Sequence, residues 1–66
     1  MKISTKKLLK KVIEDAQTCF DEVDFAEKMY NLWVDFDVTD EQTNVLERAK
    51  NCGPARVANT NGECLI

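Results

Sequence analysis

At the roughly 100° per residue of a helix, the apolar residues from Thr5 onward sort onto one side. Leu8, Leu9, Val12, Ile13, Ala16, Cys19 and Phe20 fall within an arc of about 140°, with lysines, Glu14, Asp15, Gln17 and Thr18 filling the rest. This spacing predicts an amphipathic helix over about 5–20, with Ser4 or Thr5 as its N-cap and one buried face. A second helix over about 22–36 carries a wider apolar arc of about 200°, made by Phe25, Ala26, Met29, Tyr30, Leu32, Trp33, Val34 and Phe36. Asp24 with Glu27 resembles a capping box, and Asp21 is an alternative cap. No glycine or proline precedes Gly53, so capping residues alone divide the first two helices, and one kinked helix is the alternative.

Thr39-x-x-Gln42 announces a third helix over about 39–52, with Asp40 and Glu41 in the first turn, where carboxylates suit the helix dipole. Val38, Val45, Leu46, Ala49 and Cys52 form its stripe, and Gly53-Pro54 ends it. Beyond lies Asn61-Gly62, the commonest type I′ hairpin dipeptide, between two short segments. An isolated hairpin is marginal in water, so residues 54–66 either pack on the helices as a hairpin with its turn at 61–62 or form a disordered tail. The expected fold is all-α or mainly α: a small three-helix bundle in residues 1–53 with that C-terminal extension.

Charge changes the picture by segregating. Met1 to Lys11 holds five lysines and no acid, while Val12 to Glu47 holds eleven carboxylates against one lysine, within a net charge of −3. Such asymmetry speaks to association rather than fold. The lysines sit at the positive end of the first helix dipole, and Glu14 and Asp15 toward the negative end, each against the dipole preference. Lys10–Glu14 and Lys11–Asp15 are i,i+4 pairs in the weaker, lysine-first order. Local helix stability did not dictate this arrangement. An antiparallel second helix would bring Asp35 and Asp37 toward the lysines, and an acidic surface on another molecule would serve as well.

Sixty-six residues form one small domain. A core of this size supplies roughly 3–5 kcal/mol net, so self-association is an expected supplement. Histidine is absent, and the three cysteines (Cys19, Cys52, Cys64) lack C-x-x-C spacing, which suits reduced, buried thiols better than a disulfide frame or zinc site. The longest apolar run, Leu32-Trp33-Val34, is far shorter than the ~20 residues of a membrane span. The lysine-rich start lacks the apolar stretch of a secretory signal, and Cys64 stands one place too late for a prenylation box. A soluble, cytoplasmic protein with no membrane partner is the expectation.

Several chemical readings fail at particular residues. Asp35-x-Asp37-x-Thr39-x-Glu41 imitates half of a calcium loop, but Asp40 stands where glycine is required and Leu46 where the bidentate glutamate belongs. No histidine is present to activate a thiol, and no pocket is evident to perturb a carboxylate, so neither enzyme activity nor a cofactor is expected. A helix-turn-helix reading would give the third helix Gln42, Thr43, Asn44 and Arg48 for base edges, yet Asp40 and Glu41 lead it, and phosphates repel such a face. Nucleic acid is disfavoured.

What remains is recognition. Two hundred degrees of apolar surface exceeds what one neighbouring helix covers. Tyr30, Trp33 and Val34 are therefore the candidate contacts for another protein or a second copy, Tyr and Trp being enriched at hot spots. Lys6, Lys7, Lys10, Lys11 and Arg56 are candidates for anionic or charge-complementary contacts. The expected function is that of a small acidic protein-binding module, a regulator or inhibitor that occludes a partner surface. Small acidic inhibitors of phage or mobile-element origin imitate the phosphate array of DNA; here the analogy is one of charge alone. The alternatives are a binder of a small anion such as a nucleotide, held by the lysines and Arg56, and a DNA-contacting repressor-like protein.

Overall fold

The computed structural model describes residues 2–65. Three long helices, α1 (Thr5–Thr18), α2 (Glu22–Asp35) and α3 (Asp40–Cys52), are followed by a short helix, α4 (Pro54–Asn59), and a 3-10 turn at Glu63–Leu65. Together they form a small helical bundle, with no strand among the described residues.

The helices begin where their caps place them. Ser4 Oγ accepts the Lys7 N–H, and Thr39 with Gln42 completes a reciprocal capping box at α3. At α2 the cap is Asp21, whose carboxylate accepts the Asp24 N–H at 2.8 Å. Asp24 in turn accepts the Phe20 N–H at 2.9 Å, so the pairing runs Asp21–Asp24 rather than Asp24–Glu27. Cys19, at φ −70° and ψ 154°, is extended and separates α1 from α2. That break corrects one expectation. Phe20 no longer follows the α1 periodicity, and instead of closing the buried stripe it lies 92% exposed.

Leu8, Val12 and Ala16 of α1 meet Phe25, Met29 and Leu32 of α2 and Val45, Leu46 and Ala49 of α3. Val57 and Leu65 complete this core from the C-terminal segment. Each fully buried large side chain contributes roughly 1.5–3 kcal/mol before the entropy of ordering is set against it. Gln42 is the buried polar side chain among the described residues. Its Oε1 accepts the Thr39 N–H and its Nε2 donates to the carbonyl of Ile3, tying the N-terminal segment to α3.

The expected hairpin at 61–62 is absent. Gly53, at φ +87°, ends α3, and Pro54 opens α4 at the position where a missing N–H does no harm. At the far end of α4, Asn61 (φ +53°) and Gly62 (φ +84°) both adopt the left-handed region, as a type I′ turn would also demand. Here they close a helix. The Gly62 N–H donates to the Val57 carbonyl at 3.0 Å and the Asn61 N–H to the Ala58 carbonyl at 3.3 Å, the Schellman pattern. A Cβ at Gly62 would also lie 2.8 Å from Cδ1 of Ile13, so a larger residue there would have to displace the end of that side chain. In this conformation the segment puts Val57 and Leu65 into the core.

Candidate functional site

With α4 and the 3-10 turn packed mainly against α1 and α3, the outer side of α2 stays exposed among the described residues. Residues two apart on a helix point about 200° away from each other. Val23 thus lies opposite Phe25, and Tyr30 and Val34 lie opposite Leu32. Phe25, Met29 and Leu32 are buried, whereas Val23 is 77% exposed, Tyr30 and Val34 59%, and Trp33 49%. The wide arc of α2 therefore resolves into two faces: an inner one in the core and an outer ridge of Val23, Tyr30 and Val34. Phe20, just before the Asp21 cap, is exposed as well.

Trp33 stands at the flank of this ridge, on the side of α3. Its ring and that of Tyr30 are tilted 44° with centroids 5.8 Å apart, an arrangement aromatic pairs favour. Beside them a groove of about 210 Å³ runs between α2 and α3, floored by Met29 and Leu46 and walled by Thr43, Glu47 and Lys50. Toward the C-terminal end of α2, Trp33 and Val34 also border a depression reaching Phe36 and Val38. The three anchors expected from sequence are thus brought together and left open. Val23 and Phe20 were missed. Val23 has the i,i+7 spacing to Tyr30 that could have revealed it, and Phe20 was assigned to the α1 stripe.

The cationic residues are not gathered into one site. Lys6, Lys7, Lys10 and Lys11 are all exposed on α1. Lys7 and Lys11 share a shallow depression with Lys2, Ile3, Ser4 and Phe36. Lys11 Nζ sits 5.6 Å from the Phe36 ring centroid, so α2 does return antiparallel to α1, and Lys11 meets an aromatic face there. Arg56 lies instead beside Cys52, toward the other end of α3, where its charge acts on that thiol. Cys64, also beside Cys52, pushes the Cys52 thiol above its ordinary pKa, chiefly by hydrogen bonding. Cys19, Cys52 and Cys64 are half-buried and unbridged.

Asp15, near the C-terminal end of α1, has its pKa raised by burial, while Lys28 and Lys11 pull it the other way. Among the described residues no three Cys, Asp or Glu side chains are placed to hold a metal ion. No described helix is long and apolar enough to cross a membrane. The fold and its open ridge define a small helical bundle with one unpartnered apolar helix face. No family model, curated protein or solved structure matches the chain.

Proposed function

We propose that this chain is a protein-binding module that regulates or inhibits a partner by occluding its surface, with the outer face of α2 as the docking face. One observation carries the reading: Val23, Tyr30, Trp33 and Val34 all stand exposed on the side of α2 turned away from the core, with the Tyr30 and Trp33 rings in contact. Single exposed apolar residues are ordinary, but several on one helix face with two aromatic anchors mark an interaction surface. The nucleotide and DNA readings have less behind them. Lys7 and Lys11 share a depression that Arg56 does not line, and the Gln42 amide is spent on Ile3 and Thr39 inside the fold.

The test is affinity capture with wild-type and Trp33→Ala baits, each first checked for helicity by circular dichroism. A partner should be retained by the wild type and lost by Trp33→Ala, and the wild type should reduce that partner's activity in proportion to the complex formed. Equal capture by the two folded baits would refute the reading.

A further inference from the structure

We infer that the occupant of the α2 ridge is a cationic amphipathic helix, laid along α2 and filling the α2–α3 groove with one of its apolar side chains. The inference rests on the docking reading above and adds the chemistry of the partner. Val23 to Val34 spans eleven residues, about 16 Å or three helical turns, the length over which a partner helix presents anchors at i, i+3 or i+4, and i+7. The groove beside Tyr30 and Trp33 opens directly off this line and is apolar at its floor, Met29 and Leu46.

The rims decide the sign of the partner. Glu27 and Asp35 are exposed along one side of the ridge; Glu22 and, across the groove on α3, Glu47 are exposed along the other. Lys50 is the cation among the groove-lining residues, and Glu47 lies one turn from it on the same helix. A helix bearing lysine or arginine on both sides of its apolar stripe pairs with these carboxylates, while an acidic one would be repelled.

The same charges argue against a second copy of this chain. An antiparallel α2–α2 pairing about a two-fold axis sets the Glu27–Asp35 side of one copy against the same acidic side of the other. A parallel pairing sets that side against the side bearing Glu22. Either register encloses like charges beside the apolar contact, without a compensating base from α2, since Lys28 faces Asp15 on the inner side.

Trp33, the single tryptophan, reports directly on occupation of the ridge. The probe is a synthetic leucine–lysine peptide of about 15 residues with helical apolar spacing, compared with a scrambled peptide of equal composition and with its leucine–glutamate counterpart. The leucine–lysine peptide should shift Trp33 emission to the blue and saturate. Val23→Ser with Val34→Ser should weaken it about tenfold or more, and Glu27→Gln with Glu47→Gln about three- to tenfold. Equal binding of the leucine–glutamate or scrambled peptide, or no effect of the Glu27→Gln, Glu47→Gln pair, would overturn the inference. So would a concentration-dependent dimer of the chain alone in sedimentation, with Trp33 buried in it. Should the peptide arm fail while Trp33→Ala still loses a captured partner, the docking reading stands and only the partner's chemistry is wrong.

Discussion

The two faces of α2 share a backbone and a cap and are both apolar, but they differ in what lies across from them. Phe25, Met29 and Leu32 on the inner face are enclosed by α1 and α3, while Val23, Tyr30 and Val34 on the outer face meet water. Both faces carry large apolar surface, Phe, Met and Leu inside and Val, Tyr and Val outside. Burial is therefore a property of the neighbourhood, and the outer ridge retains apolar surface that another molecule can still bury.

The comparison breaks most sharply at Phe25. Phe25→Ala removes a fully buried ring and should cost about 3–5 kcal/mol. That is comparable to the whole net stability expected of a chain this small, so circular dichroism should show an unfolded or barely folded protein at 25 °C. A native melt within a few degrees of wild type would mean that the inner face is not the core.

Asp21→Ala tests what holds both faces in register. It removes the cap on the Asp24 N–H and frees the Asp24 carboxylate that accepts from Phe20, at a cost of about 1 kcal/mol. In urea the unfolding midpoint should fall with an unchanged slope, and an unaltered midpoint would show the cap to be idle.

On the outer face the expected change is small. Val23→Ser combined with Val34→Ser should alter stability by no more than about 0.5 kcal/mol per site, because both residues are mostly exposed and have little packing to lose. A loss resembling that of Phe25→Ala would show that the ridge is already covered in solution, as by a second copy.

The smallest effect belongs to Asp15. Burial raises its folded-state pKa, so its charge weakens the fold at neutral pH, and that penalty disappears once the pH falls below the ordinary carboxylate range, where both states are protonated. Its place near the C-terminal end of the α1 dipole acts in the same direction. Asp15→Asn should raise Tm at pH 7 by about 1–2 °C and leave it unchanged near pH 3. A gain of equal size at both values would assign the effect to something other than charge.

What could be read from sequence alone was what neighbours along the chain decide. Ser4, the Thr39–Gln42 box and Gly53-Pro54 set helix ends through bonds spanning three or four residues, and the three long helices begin and end within two residues of expectation, whereas α4 was not expected. The excess apolar arc of α2 was legible for the same reason, since periodicity is local. Three other matters were settled only by tertiary packing. Asn61 and Gly62 suit a hairpin turn and a helix-ending turn equally well, and the choice fell to Ile13 of α1 and to the core that receives Val57 and Leu65. Phe20 turned outward because Cys19 ended α1 in an extended conformation, which no helical arc foresees. The outer ridge stayed open because the last helix packed on the far side of the bundle, and where a distant segment packs is a long-range outcome that residue spacing does not encode.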